Sequence, residues 1–138
     1  MKVTKINHIG IVVRDIEEAL KVYQEALGLE LTRIEERPEM GVNIAFLPAG
    51  DSEIELVQPT TEEGGVAAFL KKRRGGLHHV CLEVDDIEAA LAELRERGLR
   101  LIDEQPRQGT HGERFAFIHP KSTHGVLLEL YELAPPDR

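Results

Sequence analysis

The chain has 138 residues, 41% of them hydrophobic and 30% charged, which is enough for one domain with a packed core. Its 25 acidic and 17 basic residues give a net charge of −8, which argues against a general nucleic-acid-binding protein, because such proteins need a basic face. The single cysteine, Cys81, excludes an intrachain disulfide framework. No apolar run approaches the roughly 20 residues that span a bilayer, and the N-terminus lacks an apolar signal region. These features predict a soluble, cytoplasmic protein that binds neither nucleic acid nor membrane.

Two stretches of the sequence repeat one another. Residues 6–16, INHIGIVVRDI, align without gaps with residues 77–87, LHHVCLEVDDI, so that His8 falls on His79. The similarity continues into the apolar positions that follow, and it reappears near the end of each half. Internal duplication in a short chain predicts two copies of one structural unit related by pseudo-two-fold symmetry, with a cavity lined equivalently by both.

The hydrophobic periodicity in each half predicts the same order of elements, β-α-β-β-β. Asp15 and Asp86 are the predicted N-caps of the two helices, because a short carboxylate accepts hydrogen bonds from free helix N–H groups. A short linking helix is predicted between the halves. The predicted strands lie near 5–13, 29–35, 42–47 and 53–58 in the first half and near 77–84, 99–104, 113–119 and 126–131 in the second.

The duplication also repeats four polar residues on apolar strands. His8 and His79 hold one position in the two first strands, and Glu55 and Glu129 hold one position in the two last strands. A single Glu at such a place usually faces solvent, and a single His is usually a satisfied core or edge residue. Repetition of all four instead favours one site of two imidazoles and two carboxylates. That donor set suits a divalent first-row metal with open coordination positions.

The duplicated module with these residues resembles the vicinal oxygen chelate superfamily (glyoxalase, bleomycin resistance and dioxygenase proteins), and within it the methylmalonyl-CoA epimerases. The most specific stretches are GLHHVCLEVDDI at 76–87 and the His-Pro-Lys-Ser turn with its following strand at 119–130. The resemblance implies an α+β fold, in which two paired β-α-β-β-β modules form a curved, incompletely closed barrel around a metal site. We predict a single domain over 1–138, with module one at about 4–58, the linking helix at about 59–76 and module two at about 77–133.

The resemblance implies that His8, Glu55, His79 and Glu129 bind one divalent ion per chain, with cobalt first and manganese, nickel or zinc as alternatives. It also implies the reaction. The acidic α-proton of methylmalonyl-CoA is removed and returned through a metal-stabilised enolate, which interconverts the (R) and (S) forms. Glu129 is the first candidate for the catalytic base, with Glu55 as its symmetry partner. Some relatives have Gln where Glu55 stands.

Two neighbouring residues compete with the predicted ligands. His78 adjoins His79, but the repeat alignment sets it opposite Asn7, so we expect it to point to the other face of its strand. Gln58 lies three residues after Glu55, so strand alternation is expected to aim it away from the metal as well.

Substrate contacts are predicted at Asn43, Lys121 and Ser122. Some family members have another Glu in the second strand, where this chain has Asn43 or Ile44 depending on the gap, and Asn43 is expected to orient the substrate by hydrogen bonds. Lys121 and Ser122 lie in the turn before the last strand, where a positive charge suits CoA phosphates. The basic run at 71–74 is a second candidate, although a solvated helix end is the commoner interpretation of such a run.

Alternative functions share these residues. A glyoxalase I (lactoylglutathione lyase) uses the same metal and base chemistry, so the metal site does not distinguish it from an epimerase. Extradiol dioxygenases usually keep two His and one Glu, so Glu55 counts against them. A non-catalytic small-molecule-binding protein of this fold does not need all four ligands. The predicted partners are an acyl-CoA substrate of propionate metabolism and, as in relatives, a second copy of the chain in a homodimer.

Overall fold

The computed structural model describes residues 1–134, and its elements follow the duplicated order, while positions 135–138 of the predicted domain lie outside the described residues. The chain divides into two compact units, one of residues 8–78 and one of residues 1–7 with the described residues from 79 onward. The elements are β1 (Val3–Val12), α1 (Ile16–Leu20) with a π-helical continuation (Lys21–Ala26), β2 (Arg33–Arg37), β3 (Val42–Ala49), β4 (Ser52–Pro59), α2 (Gly65–Arg73), β5 (Gly76–Val84), α3 (Ile87–Glu96), β6 (Arg107–Gln108), β7 (Arg114–Ile118), a 3₁₀ turn (Pro120–Ser122) and β8 (Leu128–Glu132).

In the unit of residues 8–78 the strand order is β2-β3-β4-β1. β1 runs parallel to β4, and β3 runs antiparallel to both of its neighbours. One face of these strands packs against α1 and the other against α2, so that alternate residues of β3 and β4 enter different cores. The buried residues are Ile16, Ala45, Leu47 and Leu56 on the α1 face, and Val12, Val42, Ile44, Phe46 and Val57 on the α2 face.

The unit that contains residues 79–134 has the equivalent strand order, β5-β8-β7-β6. β5 runs parallel to β8, and β7 runs antiparallel to β8 and β6. Its apolar core lies on the α3 face of the strands. The repeated β-α-β-β-β order and the α+β class are therefore confirmed. The core residues are Val84, Ile87, Ala90, Leu91, Leu101, Ala116, Ile118 and Leu130.

Both predicted helix N-caps are confirmed. Oδ1 of Asp15 accepts a hydrogen bond from the Glu17 N–H at 2.9 Å, and Oδ1 of Asp86 accepts one from the Ala89 N–H at 3.0 Å. Each bond satisfies an N–H group that the first helical turn leaves without a partner. The caps therefore define where α1 and α3 begin.

A second contact, which the sequence analysis did not identify, ties each helix start to the end of the last strand of its module. Oε1 of Gln58 accepts the Ile16 N–H at 2.8 Å, and Oε1 of Glu132 accepts the Ile87 N–H at 3.0 Å. Gln58 and Glu132 stand three residues after Glu55 and Glu129, so the repeat preserves this contact. It holds β4 and β8 against their helices.

The strand predicted near 99–104 is wrong. This segment forms only an isolated bridge between Leu101 and Ile118, and the short strand β6 begins farther along the chain. Oδ2 of Asp103 accepts the Phe117 N–H at 2.8 Å. A side chain thus occupies a backbone donor that a continuous antiparallel ladder would use, and the ladder stops.

A helix, α2, lies within the segment predicted to link the halves, and a glycine is required where it ends. Arg74 follows α2 in the left-handed conformation, with φ of 60°. At Gly75, with φ of 103°, a Cβ would lie 2.8 Å from the carbonyl oxygen of Val12. Only glycine fits both this backbone conformation and this close approach. Among the described residues, none of the helices combines the length and apolarity needed to cross a membrane.

The Glu35 carboxylate on β2 lies between two arginines and makes stability depend on pH. Arg33 Nε contacts one carboxylate oxygen, and Arg37 Nη2 donates to the other at 2.7 Å. Burial acts to raise the pKa of Glu35, but the hydrogen bonds from Arg33 and Arg37 outweigh it and lower the pKa from 4.5 to about 2. The stabilisation is therefore complete above pH 4.5 and is lost as pH falls toward 2.

We expect Glu35→Gln to lower the free energy of unfolding at pH 7 by about 1–2 kcal/mol, because solvent screening reduces the value that the pKa change alone would imply. The difference from the unchanged chain should shrink steadily below pH 4.5. Urea unfolding at pH 7 and pH 3 measures both values. A difference that stays constant with pH would contradict the assignment to the ion pair.

Candidate metal centre

In the unit of residues 8–78, His8 and Glu55 form a buried pair. His8 lies on β1, and Glu55 lies on the parallel strand β4, where its register partner is Gly10. Nδ1 of His8 is 3.3 Å from Oε2 of Glu55, and only 5% and 12% of the two side chains are exposed. An imidazole and a carboxylate are costly to bury unless each has a partner, so the pair is a built feature of this face.

The other unit contains the equivalent pair, His79 and Glu129. His79 lies on β5 and Glu129 on β8, and Nε2 of His79 is 3.4 Å from Oε1 of Glu129. Their side chains are 10% and 9% exposed. Cys81 is the register partner of Glu129 and is fully buried, while the Phe117 ring packs edge-on against the His79 ring at 6.0 Å. The two modules thus hold the same pair at the same strand positions.

The chemistry of these side chains fits a metal ion. His8 in one unit, and His79 and Glu129 in the other, are buried residues of types that bind metal ions. Glu55, paired with His8, adds a second carboxylate of the same kind. Neutral imidazole and carboxylate are ligands for divalent first-row metals, so the residues present fit the cofactor that the resemblance implies.

Each of the two competing residues contacts a helix. The His78 ring packs edge-on against Phe69 of α2, with ring centroids 5.0 Å apart. The side chain of Gln58 accepts the Ile16 N–H at the start of α1. Neither residue belongs to a buried His–Glu pair.

Asn43 lies on the face of the sheet opposite to Glu55. The β3–β4 register pairs Asn43 with Gln58 and Phe46 with Glu55. Directly opposed residues share a face, and Gln58 reaches α1, so Asn43 belongs to the α1 face. Ile44 is on the Glu55 face, where it packs in the apolar core beneath α2. The expectation that Asn43 orients the substrate does not fit this placement.

The His-Pro-Lys-Ser turn is cationic and is held by its own hydrogen bonds. Ser122 Oγ accepts the Arg100 N–H at 2.8 Å, and His119 Nδ1 accepts the Lys121 N–H at 3.0 Å. Partial desolvation, followed by the charges of Arg100 and Lys121, lowers the pKa of His119 below its ordinary value. Lys121 is exposed, as an anion-binding residue needs to be, whereas the Ser122 hydroxyl anchors the loop after α3.

Arg114 and the basic run at 71–74 make contacts with neighbouring residues. Arg114 Nη2 binds Glu132 at 2.7 Å on the α3 face of β7. In the basic run at 71–74, Lys71 Nζ donates to the Glu62 carbonyl, and the Arg73 guanidinium lies over the Phe69 ring.

Each module contains an arginine that stacks on a phenylalanine, a feature that was not predicted from the sequence. In the first module, Cζ of Arg33 lies 3.8 Å from the ring centroid of Phe46, the register partner of Glu55. The repeat contained a signal for this feature, because Phe46 and Phe117 stand at equivalent positions opposite the two predicted glutamate ligands.

In the second module the stacking arginine is Arg107. Its Cζ lies 4.8 Å from the ring centroid of Phe115 and 5.5 Å from that of Phe117. Phe117 is the register partner of Glu129. A guanidinium therefore lies on the face of β6 and β7 that continues the face on which β5 and β8 bear His79 and Glu129.

Residues 7–117 match the family model described as the Glyoxalase/Bleomycin resistance protein/Dioxygenase superfamily. The chain is also 39% identical over 127 residues to the human mitochondrial methylmalonyl-CoA epimerase, which covers 91% of this chain and 72% of that protein. It belongs to the methylmalonyl-CoA epimerase family within this superfamily.

Other members of the epimerase family agree with this assignment. The ethylmalonyl-CoA/methylmalonyl-CoA epimerase of Cereibacter sphaeroides is 39% identical over 131 residues, which are 94% of this chain and 98% of that one. The methylmalonyl-CoA epimerase of Streptomyces coelicolor, solved in complex with 2-nitronate-propionyl-CoA, matches with a TM-score of 0.90 and 36% identity over 99% of both chains. The resemblance drawn from the sequence motifs is thus confirmed.

Proposed function

We propose that the chain is a metal-dependent epimerase that interconverts (R)- and (S)-methylmalonyl-CoA by removing and returning the α-proton. The strongest support is the presence of both buried His–Glu pairs in a chain that is 39% identical to such epimerases over more than nine-tenths of its length. The acidic C–H of this substrate lies between a thioester and a carboxylate, so a positioned base is sufficient to remove it.

The proposed ligands of the ion are His8, Glu55, His79 and Glu129. Their support is the internal repeat, which makes the two pairs equivalent, and the N–O distances of 3.3 and 3.4 Å within the pairs. Cobalt remains the first choice, with manganese, nickel and zinc as alternatives. When bound, a divalent ion supplies Lewis-acid stabilisation of the negative charge that develops on the thioester oxygen.

The proposed bases are the two carboxylates, Glu129 first and Glu55 as its partner. Epimerisation needs a proton removed from one face of the α-carbon and delivered to the opposite face. Two glutamates, one from each copy of the repeat, supply the two proton-transferring groups that this requirement calls for. Each carboxylate is buried, which restricts the orientations of the side chain that removes or delivers the proton.

The proposal also includes the remaining substrate contact, the assembly and the location. Lys121 is proposed to attract the anionic CoA moiety, and Ser122 to hold the turn that presents it, which its bond to Arg100 supports. A homodimer in the cytoplasm, within propionate metabolism, completes the proposal. Cys81 is buried and forms no disulfide, which suits a reducing compartment.

Metal analysis combined with solvent deuterium exchange tests this function. The fraction analysed is the one whose mass by light scattering is twice the chain mass of 15.5 kDa. We expect one equivalent of divalent metal per chain and deuterium at C2 of both methylmalonyl-CoA epimers, since proton removal from either face exposes the carbon to solvent-derived deuterons. Chelation should abolish the exchange, and added metal should restore it.

The control substrate is the hemithioacetal of methylglyoxal and glutathione. Turnover of this compound without C2 exchange in methylmalonyl-CoA would assign the chain to the glyoxalase I reaction instead. Tight binding of an acyl-CoA with no exchange in metal-replete protein would contradict the enzyme proposal and point to a binding protein.

A further inference from the structure

The guanidinium of Arg107 is a cation on the same strand face as two of the proposed ligands. Arg107 is the register partner of Phe115 across β6 and β7, and Phe117, two residues on, is the register partner of Glu129. The Phe117 ring in turn packs edge-on against His79. Because alternate residues of a strand share a face, these side chains line one surface.

The surroundings of Arg107 hold its side chain in place while leaving it accessible. Two phenyl rings, at 4.8 and 5.5 Å, lie beneath the guanidinium. Nε is 3.3 Å from Oδ1 of Asp103, whose other oxygen is bound to the Phe117 N–H. Arg107 is nevertheless 50% exposed, while Asp103 is 15% exposed. An arginine already oriented by stacking and by an Nε contact loses little freedom when its terminal nitrogens bind a phosphate.

Other cations with comparable positions are already neutralised or face elsewhere. Arg114, on the adjacent strand, binds Glu132 on the α3 face. Arg33, the stacking arginine of the first module, contacts Glu35, whose low pKa keeps that carboxylate charged. Arg107 has the longer contact with its carboxylate and therefore the weaker neutralisation.

We propose that Arg107 binds a phosphate group of the CoA moiety of the substrate, an inference that rests on the proposed epimerase function. Arg107 belongs to β6, two strands from the strand that bears Glu129, and its guanidinium lies over the rings of Phe115 and Phe117 on the intervening strand β7. The carboxylate of the acyl group is bonded to the reacting carbon and stays beside the bases, whereas the CoA arm extends outward. A chain of net charge −8 needs a local cation on that outward route to hold a polyanion.

The test compares Arg107→Gln with the matched variant Arg33→Gln, which removes the arginine that stacks on a phenylalanine in the other module. Calorimetric titration with CoA is expected to give about ten- to a hundredfold weaker binding for Arg107→Gln, since a charge-assisted phosphate contact is lost. Binding of pantetheine, which has no phosphate, should be unchanged. The KM for methylmalonyl-CoA should rise by the same factor at constant kcat, while kcat/KM for methylmalonyl-pantetheine stays within twofold. Arg33→Gln should leave CoA binding unaltered.

The outcomes separate this inference from the proposed function. Equal losses with methylmalonyl-CoA and methylmalonyl-pantetheine would overturn the phosphate assignment, because the arginine would then act on the acyl part. Equal weakening in the Arg33 variant would overturn it as well. An unchanged chain that exchanges C2 of methylmalonyl-pantetheine but does not bind CoA would retain the function and refute the subsite. A chain that binds CoA through Arg107 but exchanges the C2 proton of neither thioester would support the phosphate site and refute the proposed epimerase function. If Arg107→Gln unfolds, Arg107→Met keeps the apolar stem but not the charge, and about ten- to a hundredfold weaker CoA binding is expected. CoA binding by Arg107→Met within about twofold of the unchanged chain would overturn the phosphate assignment.

Discussion

Replacing Glu129 by Gln is expected to lower exchange of the C2 proton of methylmalonyl-CoA by about two to four orders of magnitude, the usual contribution of a positioned acid or base. The amide keeps the shape of the side chain and one oxygen donor but loses the basicity, so metal should be partly retained. Glu129 is buried on β8, with an oxygen 3.4 Å from His79 Nε2, so the change alters this pair without opening a cavity. The measurement is deuterium uptake by each methylmalonyl-CoA epimer on metal-replete protein.

Two matched variants make the result specific. Glu55→Gln should lose less activity, because the resemblance implies that some relatives have Gln at this position. Glu132→Gln, three residues after Glu129, changes a carboxylate that contacts the start of α3. Since the amide of Gln58 makes the equivalent contact in the other module, Glu132→Gln should retain exchange. Full exchange in the Glu129 variant would remove Glu129 from the base role, and full exchange in both proposed-base variants would place the base elsewhere.

Replacing His79 by Ala is expected to remove most of the bound metal, whereas replacing His78 by Ala should not. His79 is buried beside Glu129, so its loss removes one proposed ligand and leaves that carboxylate without its imidazole. His78 instead packs against Phe69 of α2, and its loss should affect only local packing. Metal content after dialysis against a weak chelator, measured by mass spectrometry, compares the two variants.

Because His78 and His79 are adjacent in β5, the comparison tests which of the two side chains shares the strand face of the proposed ligands. Because His79 also packs against the Phe117 ring, circular dichroism of each variant is the control for folding. Equal metal loss from both variants would mean that the strand face assigned to His79 is wrong. Metal loss from the His78 variant alone would exchange the two roles.

Features that depend on short-range patterns were predictable from the sequence. The helix starts at Asp15 and Asp86 follow from side chains that accept bonds from N–H groups only two or three residues away. Strand alternation was sufficient to turn Gln58 away from Glu55, because successive side chains point to opposite faces. The internal repeat also allowed a prediction for residues far apart in the chain, because two copies of one unit place equivalent residues at equivalent strand positions.

The tertiary structure decided what depends on strand pairing. Asn43 and Ile44 are adjacent, and only the register of β3 against β4 determines which of them shares the Glu55 face. The predicted strand near 99–104 failed because the Asp103 side chain, paired with a backbone group of Phe117, interrupts the ladder.

The sequence by itself therefore determined the duplicated α+β unit, its helix caps and the residue types of the His–Glu pairs. The structure alone decided which face of each strand meets which helix, and that Arg107 stacks over Phe115 and Phe117. The physical reason is sequence distance. Caps and alternation arise between residues a few positions apart, whereas register, ring stacking and the Asp103 contact join residues that only folding brings together.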